Sequence, residues 1–230
     1  CRQRADSVMK AAIISNGSIT ETGMLAGLAD EYEMTVCADG AANRLRSAGI
    51  VPDYVLGDLD SIDAETKLYF ESRGVSFIRF SPEKDFSDTH LCVEFLIEKG
   101  FDEIDLYGAL GGRWDHSLAN FGLMYHAYEK GIKLSLIDSH DIAFICAAGK
   151  YVSEKRENQH FSIFAVFEDA TVTLIGVKYP LNEYDLRRGE SIGLPNEYTT
   201  DCHVEIKKGS AIVIESRTDR KPRVVESCKK

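Results

Sequence analysis

From Lys10 to about Ala147 the chain alternates short apolar runs with segments of helical spacing, and few architectures accept that rhythm. The runs fall at residues 11–14, 34–37, 54–56, 76–80, 103–107 and 133–137. Between them the spacing predicts helices over 21–31, 41–48, 64–73, 87–99 and 116–130. In the fourth helix Leu91, Cys92, Phe95 and Leu96 form an apolar stripe behind an N-cap at Ser87. In the fifth, Leu118, Phe121, Tyr125 and Tyr128 do the same. Strands separated by helices pair in parallel and need cover on both sides, so the expected fold is α/β, with a mostly parallel, Rossmann-like sheet and helices on both faces.

After Gly149 the texture changes. Residues 161–166, 171–175, 191–194, 204–206 and 211–215 read as short strands broken by Gly, Pro, Asn and Asp, with no long amphipathic helix. This predicts two domains, an α/β domain over 9–148 and a smaller all-β sandwich over 149–230.

Composition removes several classes of function. A formal charge of −10 with no broad basic stripe argues against a nucleic-acid binder that works by neutralising phosphates. No apolar stretch approaches the ~20 residues of a membrane helix. The first eight residues lack an apolar signal region and read as a polar extension before a start at Met9. Cysteines at positions 1, 37, 92, 146, 202 and 228 make no C-x-x-C pair, which argues against zinc and for reduced thiols in a cytoplasmic protein.

The polar clusters all fall at predicted strand ends, where open α/β sheets bind ligands. Asp39-Gly40-Ala41-Ala42-Asn43 follows the second strand. It reads either as a helix cap with small packing residues or as a place where a nucleotide approaches the backbone. Gly57-Asp58-Leu59-Asp60-Ser61 follows the third strand, and an extended backbone projects Asp58 and Asp60 to one side. Two close carboxylates repel unless a cation lies between them, and Mg2+ suits such hard oxygens together with phosphate oxygens. A turn closed by Asp58 and a cap at Asp60 is the competing account. Around Glu83-Lys84-Asp85-Phe86-Ser87-Asp88, Lys84 is placed to hold a phosphate, while Asp88 equally suits a helix N-terminus. Gly111-Gly112-Arg113-Trp114-Asp115-His116 joins glycine amides, an arginine fork and a helix start, an anion site outside the Walker A and dinucleotide patterns. His116 reads as a hydrogen-bonding residue at that start and Trp114 as partly core. His90, His126, His140, His160 and His203 show no ligand spacing.

Taken in order, Asp39-Gly-Ala-Ala-Asn-Arg-Leu, Pro52-Asp-x3-Gly57-Asp-x-Asp-Ser61, Glu83-Lys-Asp-x-Ser-Asp88 and Gly111-Gly-Arg-x-Asp-His116, the last running on to Asn120, resemble the bacterial type of thiamine pyrophosphokinase. The resemblance implies transfer of pyrophosphate from ATP to thiamine, with Mg2+ as cofactor. It implies a site lined by Asp39, Asp58, Asp60, Asp88 and Asp115, with the metal on Asp58, Asp60 and Asp88. Arg113 then meets the phosphates, and Gly40, Asn43, Lys84, Ser87, Gly111, Gly112, His116, Asn120 and Asn196 contact substrates. It implies a homodimer whose sites lie between subunits. The chain departs from the pattern at Leu91, where several members carry Lys, and at Pro195-Asn196-Glu197 near the vitamin pocket; with Trp114 as the single tryptophan, stacking on thiamine falls to a Tyr or Phe such as Tyr198. The expected chemistry is in-line attack by the alcohol on the β-phosphorus, with Asp88 or Asp115 as the base. Two other readings compete, a pyrophosphokinase acting on a hydroxymethyl pterin and a non-catalytic nucleotide or thiamine sensor.

Overall fold

The computed structural model describes residues 8–17, 19, 22–81, 86–111, 113–155 and 159–216. The chain divides into two compact units, Cys1–Asp138 and Ser139–Lys230.

The first unit holds strands β1 (Lys10–Ile14), β2 (Met34–Ala38), β3 (Tyr54–Gly57), β4 (Ser76–Arg79), β5 (Glu103–Tyr107) and β6 (Lys133–Ile137). All neighbouring pairs are parallel, in the order β6-β5-β1-β2-β3-β4. The burial pattern explains the parallel pairing. β1, β2, β5 and β6 each bury four of their five residues in succession, as strands covered on both faces must. The connecting helices are α1 (Leu28–Glu31), α2 (Ala41–Ser47), α3 (Ala64–Glu71), α4 (Asp88–Glu98) and α5 (Trp114–Glu129). Strand order runs outward from β1 to β4, then returns past β1 to β5 and β6. Right-handed crossovers therefore put α2 and α3 on one face and α4 and α5 on the other, and each of these helix pairs is in contact.

One of the two striped helices agrees with expectation and the other does not. α4 begins as predicted, with Ser87 Oγ accepting from the His90 amide at 3.2 Å. α5 instead buries Asn120, Leu123, Met124 and Ala127, leaving Leu118 74% and Trp114 91% exposed. The predicted stripe was rotated because aromatic residues drew it towards Phe121, Tyr125 and Tyr128, which are only half-buried. Trp114 is not a core residue.

The second unit is all-β and antiparallel. Strand β7 (Asp141–Cys146) pairs β13 (Ala211–Ser216), which pairs β9 (His160–Phe164). β9 meets the start of β12 (Asn196–Lys208), and the rest of β12 pairs β10 (Ala170–Val177) and β8 (Gly149–Ser153). β11 (Leu181–Leu186) closes the edge against β10. Phe144 of β7 meets Tyr151 of β8 edge-on at 5.3 Å, so side chains of the two strand groups share a core. Residues 191–194 are not a strand; a turn closes there, with Leu194 N donating to Ser191 O at 3.2 Å, and the strand begins only after Pro195. Among the described residues no helix is long and apolar enough to cross a membrane. Cys37, Cys92, Cys146 and Cys202 are buried thiols outside any disulfide.

One buried acid in the first unit carries a pH signature. Asp105, inside β5, accepts from the Tyr32 hydroxyl at 2.7 Å. Burial raises its pKa, and the Tyr32 hydrogen bond and the charges of Lys10 and Lys133 only partly oppose that. The folded protein thus holds this proton more tightly than the unfolded chain does, and the contribution to stability falls as pH rises through the raised value. Asp105→Asn keeps an acceptor for Tyr32 and removes the charge. Thermal unfolding across pH should show the variant gaining on the parent towards pH 7, with the gain vanishing below about pH 4.

Candidate active site

The sheet reverses direction between β1 and β5, and here the two chain segments leaving the strands interlock. Ser15 N donates to Tyr107 O at 2.8 Å and Gly17 N to Gly108 O at 2.9 Å. A methyl group at Gly17 would lie 2.1 Å from Gly108 O, a backbone atom that cannot step aside. Gly17→Ala should therefore cost about 1–3 kcal/mol of stability in denaturant titration and impair turnover together with it.

A cleft opens at this switch point, walled by Ser15, Asn16, Gly17, Arg44, Arg113 and His116. Arg44 reaches it from α2 and donates through Nη1 to Gly17 O at 2.8 Å. Asn120, buried, donates to Ala109 O at 2.7 Å and so fixes the floor behind Gly111. Ser15, Asn16 and Arg44 were absent from the expected site. The strand-end rule applied to β1 would have found the first two, but their polar letters carry no motif.

Beside the cleft lies an acidic cluster. Asp39 leaves β2 with φ 31°, held by its amide to Leu56 O at 2.8 Å. Gly57 makes room for it, since a Cβ there would fall 2.6 Å from Asp39 Cβ. Beyond Gly57 the chain turns through Leu59, at φ 64°, and Asp60 N donates to Asp58 Oδ1 at 3.2 Å. Asn43 clasps this turn: its Nδ2 donates to Ser61 O at 2.9 Å, and its Oδ1 accepts from Asp63 N at 3.1 Å. The result brings one carboxylate oxygen from each of Asp39, Asp58 and Asp60 within 4.8 Å of the others. The turn closed by Asp58 and the carboxylate cluster, competing accounts from sequence, are both present, but the helix that follows is capped at Asp63 and not at Asp60.

Asp39 decides what this cluster needs. It is 7% exposed, and among the described residues its Oδ1 has no hydrogen-bond partner. Burial raises its pKa, the Ser61 hydroxyl opposes this, and the charges of Asp88, Asp58 and Asp60 raise it further. A buried, unpartnered oxygen among several carboxylates is costly, and a divalent cation with hard-oxygen preference removes the cost. The donor set fits such an ion.

At the start of α5, Arg113 folds back on Asp115: Nε donates to Asp115 Oδ1 at 3.1 Å and Nη2 to Oδ2. The guanidinium hydrogen bond brings the Asp115 pKa down to about 2, with help from the His116 amide. Asp115 is therefore a weak proton acceptor. Gly111 lines the cleft, whereas Gly112 and Lys84 lie outside the described residues. Gly40 ties cleft to cluster, because a Cβ there would meet Asn16 Nδ2 at 2.8 Å and Ser61 Cβ at 3.2 Å. Asn196 belongs to the second unit. It is 2% exposed, accepts from the Tyr179 amide at 2.9 Å and donates to Tyr179 O at 2.8 Å, so its carboxamide is committed to the backbone.

Fold and site together define a doubly wound α/β enzyme of the kind that gathers carboxylates and an anion-binding loop at the carboxyl ends of its strands. Comparison with known proteins narrows the class. Residues 25–136 match the family model described as thiamin pyrophosphokinase, catalytic domain, and residues 150–213 match thiamin pyrophosphokinase, vitamin B1 binding domain. The thiamine pyrophosphokinase of Bacillus subtilis (strain 168) is 33% identical over 80% of this chain and 87% of its own length. Thiamine pyrophosphokinase 1 of Oryza sativa subsp. japonica is 28% identical over 73% and 72%. The crystal structure of the Bacillus subtilis enzyme superposes with a TM-score of 0.81 at 31% identity, covering 90% of this chain and 98% of that one. The chain belongs to the thiamine pyrophosphokinase family.

Proposed function

We propose that this protein transfers the pyrophosphoryl group of ATP to the hydroxyethyl oxygen of thiamine, giving thiamine diphosphate and AMP. The observation that carries the reading is the buried Asp39 Oδ1, without a hydrogen-bond partner among the described residues, within the Asp39–Asp58–Asp60 cluster adjoining a cleft that holds Arg113. Asp58 and Asp60, with Asp39 and the nearby Asp88, hold Mg2+. When bound, that ion neutralises phosphate charge and polarises the phosphoryl oxygens.

The chain's own residues supply position and charge, which is most of what phosphoryl-type transfer requires. Asn43 keeps the Asp58–Asp60 turn in place, and Asn120 keeps the Ala109 carbonyl and the loop behind it in place. Arg113 leans on Asp115, which pre-orients the guanidinium, and stabilises charge on the non-bridging oxygens. Asp115, its pKa brought down to about 2 by the Arg113 hydrogen bond, is a weak proton acceptor, so its part is to orient Arg113 rather than to take the hydroxyl proton.

The second unit, read as a sandwich-like vitamin-binding and dimerisation domain, completes the enzyme as a homodimer with its sites between subunits. Support comes from the vitamin B1 binding match and from exposed apolar side chains at Ile175, Tyr179, Ile192 and Leu194. The buried, reduced thiols suit a cytoplasmic enzyme. Incubation with ATP and Mg2+ tests the assignment, with thiamine, a hydroxymethyl pterin or no acceptor present. AMP formed only with thiamine supports it. AMP formed only with the pterin, or ATP bound without turnover, overturns it.

A further inference from the structure

Outside the Asp39–Asp58–Asp60 cluster the structure gathers a second set of ligating groups, from the first two turns of α4 and the last turn of α5. His90 and Glu94 are one helical turn apart on α4, and His126 of α5 comes to meet them. Glu94 Oε1 lies 2.6 Å from His126 Nε2 and 3.7 Å from His90 Nε2. All three side chains place one donor atom within 4.8 Å of the others. Donors around a tetrahedral zinc, with bonds near 2.0 Å, sit about 3.3 Å apart, so the observed separations bracket what an ion needs. Lys130 Nζ is 2.7 Å from Glu94 Oε2 and 2.8 Å from Oε1. An ion taking Oε1 leaves Oε2 to Lys130, which then becomes the hydrogen-bond partner that a ligating carboxylate ordinarily has. The Phe86 ring, 4.3 Å from that of His90, shields one flank. The three donors are partly exposed, so an ion can enter from solvent and keep water in its fourth position.

We infer that the α4–α5 seam is a binding site for a zinc-type transition-metal ion, held by His90, Glu94 and His126. Its preference is opposite to that of the acidic cluster: two imidazoles and one carboxylate suit borderline metals, whereas all-carboxylate oxygen suits Mg2+. The ion ties the first turn of α4, which begins with Asp88, to the last turn of α5. The inference stands on this seam alone and does not depend on the reaction proposed above.

The test titrates Zn2+ into the full chain in saturating Mg2+, by calorimetry. One equivalent is expected to bind without displacement by Mg2+, and to raise the unfolding temperature. His126→Ala and Glu94→Gln should each weaken this binding at least about tenfold and abolish the thermal shift, while AMP formation with Mg2+ stays at the parent rate. Asp58→Asn should leave Zn2+ binding intact. In the folded parent, Co2+ should shift the ring-proton resonances of His90 and His126 together, a readout that needs no variant. Absence of Zn2+ binding, unchanged binding in a His90→Ala, His126→Ala double variant, or loss of binding in Asp58→Asn overturns the inference.

Discussion

Asp58→Asn should lower the rate of AMP formation by about a thousandfold or more while leaving the fold intact. The magnitude follows from the charge it removes. A cation polarising phosphoryl oxygens supplies several kcal/mol in the transition state, and each ~1.4 kcal/mol is a factor of ten in rate. The fold survives because Asn can still accept the Asp60 amide that Asp58 Oδ1 now takes at 3.2 Å. In metal-free buffer the variant should be at least as stable as the parent, since Asp39, Asp58, Asp60 and Asp88 repel one another and one charge has gone. Added Mg2+ should stabilise the parent and not the variant. Circular dichroism, thermal unfolding with and without Mg2+, and the AMP assay together separate lost metal binding from lost folding. Near-parental turnover would remove the metal assignment.

Arg113→Ala should cost about a hundred- to a thousandfold in turnover, the effect of deleting one donor aimed at developing charge. Its side chain is exposed, so the loss does not come from packing. The companion variant Asp115→Asn distinguishes two roles for the acid. If Asp115 holds Arg113 in place, its removal loosens the guanidinium and costs less than removing Arg113 itself. The double variant should then be no slower than Arg113→Ala, because both changes remove one unit. If Asp115 were instead an independent base, the two losses would multiply. Arg113→Lys should recover little of the rate, since a point charge does not reproduce the planar fork. Rates for the parent and the four variants at fixed ATP, Mg2+ and thiamine provide the comparison.

The α/β unit was legible because its signals are local. Most of the parallel strands announce themselves as buried apolar runs, and each motif follows a strand by one to four residues, so Asp39, Asp58 and Asp60 could be placed at one edge before any pairing was known. Their convergence needed more: the spacing of Asp58 and Asp60 is a sequence fact, but the approach of Asp39 depends on β2 lying beside β3 and on the space left at Gly57. The β unit was less legible. β8, β11 and the first half of β12 give little signal because their half-exposed residues blur the alternation, and β7 and β8 pair strands distant in sequence. β7 in particular continues the apolar rhythm of the first unit, so the expected boundary near 148 fell after it, whereas β7 pairs β13 within the second compact unit. Asn196 illustrates the limit at a single residue. Its letter suits a substrate contact, yet its amide is committed to the Tyr179 backbone, a fact visible only once the strands are paired. The histidine pair His90 and His126 had no readable spacing for the same reason, since the two helices meet only in the fold.

The most direct test of the central claim uses ATP carrying 18O at the bridge between the α- and β-phosphorus, incubated with Mg2+ and thiamine. Attack on the β-phosphorus with AMP leaving predicts AMP and thiamine diphosphate in equal amounts, the label retained in AMP, and no product once the metal is chelated. ADP as the product, AMP without the label, or turnover undiminished by chelation would contradict the account.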